Sequence, residues 1–252
     1  MPLPPADRTD AAPMAAATPS SARPLSPFRR FVRKIVAGDP HRRTRLHDEK
    51  GNLAHPGEWL YLPLVLERFL GRVLFGHLHA EPWWTFRIKK RIAQLLGPGT
   101  NAVEFGSGQS TLWLGAHVGR LLSIEENADW AARVKTSLAR AGLGNLVHEL
   151  RPPESYADLS AVPDGSVDFC VIDGYARGRC AAAVLPKMKD GGWVYLDNSD
   201  KDMGQPEDGF NVRSAEATLR AAAAPGGIET FTGFTIGFLN THQGTLFRIR
   251  RA

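Results

Sequence analysis

Two cysteines in 252 residues leave little scope for disulfide or thiolate chemistry. Cys170 and Cys180 stand in apolar stretches with no Cys-x-x-Cys or Cys/His spacing, so neither a disulfide framework nor a zinc site is expected. Long hydrophobic runs are also lacking. The longest apolar stretch, Trp59 to Phe75, is broken by Pro63, Glu67, Arg68 and Arg72, too short and too polar to span a bilayer. Residues 1–27 have no apolar segment of the secretory kind, and a cytoplasmic protein is the expectation. No internal repeat is visible.

An excess of one charge is missing from most of the chain. Residues 1–50 hold ten Lys/Arg against five Asp/Glu, which accounts for the whole formal charge of +5 and leaves residues 51–252 neutral. A neutral globular part lacks the basic surplus of a nucleic-acid binder, so no nucleic-acid partner is expected.

What is present divides by composition. Residues 1–27, rich in Pro, Ala, Ser and Thr without apolar periodicity, cannot bury enough surface to offset their ordering entropy and are expected to be a disordered arm. Residues 28–50 form a basic segment in which Phe28, Phe31, Val32, Ile35 and Val36 share one face of a short predicted helix. That face would dock on the domain or give weak peripheral membrane contact, the first being favoured because one short helix anchors weakly. We read this arm as flexible. A helical extension is predicted over 51–80, with a break at Pro82 before Trp83-Trp84-Thr85.

Residues 81–252 alternate between apolar strands and helices. Strands are predicted at 102–105, 121–125, 146–150, 167–172, 192–196, 228–232 and 245–249, and helices at 111–118, 128–141, 177–188 and 212–223. Near-continuous apolar strands separated by helices imply an α/β, Rossmann-like, mostly parallel seven-stranded sheet with helices on both faces. No long helix fits between the last two strands, so the final strand is expected to enter antiparallel.

The strongest local signal is Val103-Glu104-Phe105-Gly106-Ser107-Gly108-Gln109-Ser110-Thr111, a strand running through a glycine loop into a helix. Gly106 and Gly108 permit a tight turn and a close approach of backbone to ligand. Glu104 beside that loop would oppose a pyrophosphate, which unpaired N–H groups and a helix N-terminus favour. It suits the ammonium and sulfonium of S-adenosylmethionine, although a plain loop-capping role fits it too. Glu125 ends the next strand 19 residues after Gly106, where a carboxylate can accept both hydroxyls of a ribose. A nicotinamide enzyme uses the same device, so Glu125 supports an adenosine ligand without choosing between the two.

Asp173 and Asp197 each terminate an apolar strand at its carboxyl end, with Asn198 following. Oxygen donors converging on one rim suit a hard divalent cation such as Mg²⁺. Without one, clustered acids imply substrate hydrogen bonding or a raised pKa. Arg177 and Arg179 could clamp an anionic acceptor, but the solvated reading is favoured. Trp83 and Trp84 fit a lid and a core pair equally. His148 reads as structural, and His77 and His79, two residues apart on a helix, face away from each other.

Taken together these residues resemble the class I S-adenosylmethionine-dependent methyltransferases from about Trp83 to the C-terminus. The resemblance implies that Glu104, Gly106, Gly108, Ser110, Glu125 and Asp173 bind the cofactor. More narrowly, Asp173 and the pair Asp197-Asn198 are similar to the metal-binding positions of catechol and caffeoyl-CoA O-methyltransferases, which makes Asp173, Asp197 and Asn198 the implied catalytic and metal-ligating set. The string Gly174-Tyr175-Ala176-Arg177-Gly178-Arg179 has no counterpart there. The chain is also similar to bacterial methyltransferase-like proteins. The implied reaction moves a methyl group to an oxygen, less readily a nitrogen, of a small-molecule or glycan acceptor. An NAD-dependent oxidoreductase and a non-catalytic methyltransferase-like adaptor are the alternatives.

Overall fold

Side-chain alternation along seven strands builds the sheet of the computed structural model, which describes residues 42–76, 81–201, 212–236 and 238–251. The strands are β1 (Asn101–Phe105), β2 (Arg120–Glu125), β3 (Leu146–Leu150), β4 (Val167–Ile172), β5 (Met188–Leu196), β6 (Ala223–Phe234) and β7 (Thr241–Ile249). They lie in the order β3-β2-β1-β4-β5-β7-β6. Neighbours from β3 through β5 pair in parallel, and β7 runs antiparallel to both β5 and β6. This is the Rossmann-like sheet expected, with the last strand reversed.

Both faces are covered. Val103, Phe105, Cys170, Ile172, Val194 and Leu196 point to one face, where the helices α5 (Arg177–Val184) and α6 (Val212–Ala222) pack on them. Ala102, Phe169, Val171, Tyr195 and Leu246 point to the other, beneath α2 (Phe86–Ala93) and α3 (Gln109–Gly115). A strand buried on both sides must be apolar at successive positions, which is why β4 reads as a near-continuous run. Helix α4 (Ala128–Ala141) starts at Asn127, whose side chain accepts from the Trp130 N–H, and stops at Gly142 with φ +65°. Helix α5 ends four residues short of the expected position. Pro186 lacks an N–H to continue it, and residues 185–187 tighten into a 3₁₀ turn.

The N-terminal extension comprises a 3₁₀ helix (Pro56–Tyr61) and α1 (Leu62–Phe75). Val65 and Ala54 join Phe86, Phe234 and Ile236 in a third apolar cluster at the β6 end of the sheet. The preceding stretch is not free. Asp48 is fully buried and accepts hydrogen bonds from Asn52, from Thr232 Oγ1 (3.2 Å) and from Gln243 Nε2 (3.0 Å). Lys50 Nζ lies 3.1 Å from Glu216 Oε2, and Arg42 Nη2 lies 3.8 Å from Asp200 Oδ2. Residues 42–50, read from composition as part of a flexible arm, are therefore tied to the domain by a buried acid of their own and by two ion pairs. The readings of residues 1–27, of Phe28 to Val36 and of His77 with His79 fall outside the described residues. No helix among the described residues is long and apolar enough to cross a membrane.

Candidate active site

The order reverses between β1 and β4, and the loops leaving their carboxyl ends diverge there. Open α/β sheets hold ligands in that crevice. A cavity of about 300 Å³ opens at this point, lined by the Gly106 to Ser110 loop, Glu125, Trp130, Asp173 and the pair Trp83 and Trp84.

Gly106 has φ +94°, and a Cβ placed on it would lie 2.6 Å from the Gly174 nitrogen. The close approach expected for a ligand is thus used first by the loop after β4. The N–H groups of the glycine loop are already engaged. Gly106 donates to the Ile124 carbonyl (2.8 Å), Ser107 to Glu125 Oε2 (2.9 Å) and Gly108 to Thr111 Oγ1 (2.8 Å). Trp130 Nε1 donates to the Ser107 carbonyl at 2.6 Å, pinning the loop from α4.

Glu104 does not reach the cavity. It is fully buried under the loop and accepts from Ser110 Oγ, Thr111 Oγ1 and Ser123 Oγ, each at 2.6 Å. Of the two roles the sequence allows, the structure shows the loop cap. Three hydroxyls within hydrogen-bond reach occupy its oxygens. Burial raises its pKa against the pull of those hydroxyls. Ser110 lines the cavity while its hydroxyl serves Glu104.

Glu125 is where the sequence puts it, at the end of β2 and on the cavity wall. Its second oxygen accepts from the Asn127 N–H at 3.0 Å. Burial, more than the nearby charge of Glu126, pushes its pKa up to about 7.

Asp173 and Asp197 do meet, as the sequence suggests, but only Asp173 lines the cavity, with 32% of its side chain exposed. Asp197 stands behind it, 7% exposed, accepting from Tyr195 Oη at 2.5 Å. Its carbonyl accepts from Arg177 Nη1. The shielded setting of Asp173, and then the adjoining charge of Asp197, hold its carboxyl well above the usual range, against the pull of Arg177. Burial and Asp197 also raise the Tyr195 phenol well above its ordinary value.

Asn198 is not part of this set. It has φ +48°, a conformation Asn tolerates, and its carbonyl accepts from the Lys201 N–H in the turn after β5. It does not line the cavity, and its implied catalytic and metal-ligating role is not supported by its place.

The donor set also fails to fit a divalent cation. Arg177, expected in solvent, is 5% exposed, and its guanidinium occupies the rim. Nη2 lies 3.1 Å from Asp173 Oδ1 and 2.7 Å from the Asp173 carbonyl, and Nε donates to the Gly174 carbonyl at 3.1 Å. A dication held by the same two carboxylates would sit against a fixed positive charge. Among the described residues no group of three or more His, Cys, Asp or Glu side chains is arranged to hold a metal ion.

Sequence reasoning undervalued Arg177 and passed over Tyr195. Asp197 directly follows β5, two residues after Tyr195, and carries the strand's period-two alternation one step further, so the two share a face. Nothing in the sequence signalled that Arg177 folds inward. Trp84 is 1% exposed and packs edge-on against Tyr195 (4.9 Å between centroids), whereas Trp83 is 39% exposed. The pair is thus half core and half cavity wall. Arg179 donates to the Pro153 carbonyl and is remote from the cavity lining.

Residues 103–199, from β1 to the turn after β5, match a family model described as a methyltransferase domain. That stretch, which carries the glycine loop, Glu125, Asp173 and Asp197, is what the chain shares with methyltransferase domains. Two solved structures share the fold of this chain. An O-methyltransferase from Bacillus cereus in complex with S-adenosylhomocysteine aligns with TM-score 0.53 and 16% identity, over 73% of this chain and 97% of its own. The O-methyltransferase TomG from Streptomyces achromogenes, involved in tomaymycin synthesis and in complex with S-adenosylmethionine, aligns with TM-score 0.50 and 17% identity, over 74% and 89%. No curated protein matches the chain in sequence.

Proposed function

We propose that the protein is a methyltransferase that moves the methyl group of S-adenosylmethionine to an oxygen, less readily a nitrogen, of a small-molecule or glycan acceptor. One observation carries the choice of donor. The N–H groups of Gly106, Ser107 and Gly108 are spent on protein acceptors, and Glu125 stands in the cavity wall beside them. A pyrophosphate, which needs free N–H groups and no facing carboxylate, is poorly served here, and this disfavours a nicotinamide enzyme. A cationic, phosphate-free adenosine ligand is well served.

When bound, S-adenosylmethionine supplies a methyl group already activated by the sulfonium charge. Glu125 would accept the ribose hydroxyls with the lone pairs its two N–H partners leave free. Trp130 and the glycine loop would line one side and Trp83 and Trp84 another, excluding water. Asp173, the one carboxylate of the pair that opens to the cavity, would orient the acceptor hydroxyl and take its proton. Similarity to O-methyltransferase folds favours oxygen as the nucleophile. The neutral charge of residues 51–252 supports a small acceptor over a nucleic acid.

Calorimetry with S-adenosylmethionine, S-adenosylhomocysteine and NAD tests the donor. We expect the first two to bind and NAD not to. Heat with NAD alone would overturn the reading. Labelled methyl donor incubated with phenols, glycans and amines then identifies the acceptor class, and production of S-adenosylhomocysteine separates an enzyme from an adaptor.

A further inference from the structure

We infer that this methyltransferase carries its own cation: Arg177 stands where Asp173 and Asp197 would otherwise hold a divalent ion, and the transfer runs without metal. The inference rests on the reading that the Asp173 side of the cavity receives the acceptor.

Three facts support it. First, the guanidinium is immobilised. It donates to the carbonyls of Asp173, Gly174 and Asp197 as well as to Asp173 Oδ1, so four acceptors on two strand ends hold one side chain. A residue so bound cannot swing aside to admit a dication, and Arg presents its planar fork of donors where Lys would present a point charge. Second, one oxygen of each carboxyl is committed. Asp173 Oδ1 faces Arg177 and Asp197 Oδ1 faces the Tyr195 hydroxyl, so neither carboxyl has both oxygens to offer an ion. Third, the chain geometry around Arg177 is built for this. Ala176 adopts φ +49°, a conformation costly for a residue with a side chain, and the helix begins at Arg177 directly after it. That turn aims the Arg177 side chain back over the ends of β4 and β5.

Arg177 acts through Asp173 and Asp197 and is a positioning residue. It would supply a fixed positive charge against the Asp173 carboxyl, with Asp197 behind it held through its backbone carbonyl, a task an ion performs in a metal-dependent site. It thereby fixes the orientation of the carboxylate that meets the acceptor.

The test is a melting experiment on the whole protein, run in EDTA and with millimolar Mg²⁺ or Mn²⁺. Neither ion should raise the wild-type melting temperature by more than about 1 °C, since an ion that does not bind the native state cannot stabilise it. A clear rise with either ion overturns the proposal, and this arm needs no variant. Arg177→Ala should melt lower by about 5 °C or more. Guanidinium ion at low millimolar concentration should restore part of that loss, and sodium at equal ionic strength should not. Equal effects of guanidinium and sodium would show that the rim holds no site shaped for that cation and overturn the proposal. If Arg177→Ala does not fold, the wild-type arm decides. Failure of S-adenosylhomocysteine to bind wild type would sink the proposed function while leaving the melting result intact, so the two failures are distinguishable.

Discussion

Gly106 and Gly174 face each other backbone to backbone. A Cβ on Gly106 would come within 2.6 Å of the Gly174 nitrogen, and one on Gly174 within 2.8 Å of the Gly106 Cα. The loops after β1 and β4 thus close on each other at the floor of the cavity, and they can do so only because neither residue has a side chain. Gly106 is doubly constrained by its φ of +94°. Gly106→Ala should therefore destabilise the fold by about 2 kcal/mol or more, not merely block a ligand. Urea unfolding of the variant without cofactor measures this. Unchanged stability would mean that the two loops can part and that the glycines serve the ligand alone.

That pair shows how far the sequence could be read. Strands β3 and β4 and helix α4 were legible residue for residue, because an apolar run or a capped amphipathic stretch depends on local chemistry. The observed β6 begins at Ala223, five residues before the expected start, and its pairing with β7 shifts register between Ala223 and Ile228. Gly226 and Gly227 interrupt the apolar pattern there, so no local rule could see the strand through the bulge. In the candidate site the sequence identified Glu125, Asp173 and Asp197 at strand ends. It could not tell that Glu104 points under the loop, that Asn198 stands outside the cavity lining, or that Arg177 folds inward. Each of these depends on which partner a side chain finds in three dimensions.

Asp48 supplies a prediction about the segment that precedes the domain. It is fully buried, with four hydrogen-bond donors from Asn52, Thr232 and Gln243 on its two oxygens. Asp48→Ala leaves those donors without an acceptor and should cost about 2–4 kcal/mol. Removing residues 1–27, in contrast, should leave the melting temperature nearly unchanged. If Asp48→Ala melts like wild type, the stretch 42–54 is only loosely attached.

Glu58 should make stability depend on pH. It is 1% exposed, accepts from the Arg87 N–H at 3.1 Å, and burial raises its pKa to about 7 from 4.5. The native state therefore keeps its proton over a range where the unfolded chain has lost it. Stability is greatest below about pH 4.5 as far as this group is concerned, falls as pH rises towards 7, and is level above that. The loss is up to about 3 kcal/mol across the window. Glu58→Gln removes the titration, so it should melt higher than wild type at pH 8 and show little gain at pH 5. Parallel pH profiles for the two proteins would show that Glu58 is ionised throughout.

Glu125 links titration to the proposed ligand. Its carboxyl sits on the cavity wall with a pKa raised to about 7, chiefly by burial, and one N–H already bound to each oxygen. An ionised carboxylate can accept two ribose hydroxyls in addition, whereas a protonated one has lost an acceptor position to its own hydrogen. A proton and the ribose thus compete, and apparent affinity scales with the ionised fraction. S-adenosylhomocysteine should bind about tenfold more weakly at pH 6 than at pH 8, because a group titrating near 7 is about one-tenth ionised at the lower value. Affinity rises with pH because the competent form is the charged one. Glu125→Gln cannot titrate and offers one acceptor oxygen, so its affinity should drop by about tenfold or more and become flat across the same range. The flat profile separates ribose recognition from a general loosening of the loop, which would weaken binding but keep the slope. Calorimetric titration of both proteins at pH 6, 7 and 8 decides it, and a wild-type affinity that does not change with pH would remove Glu125 from the ribose contact.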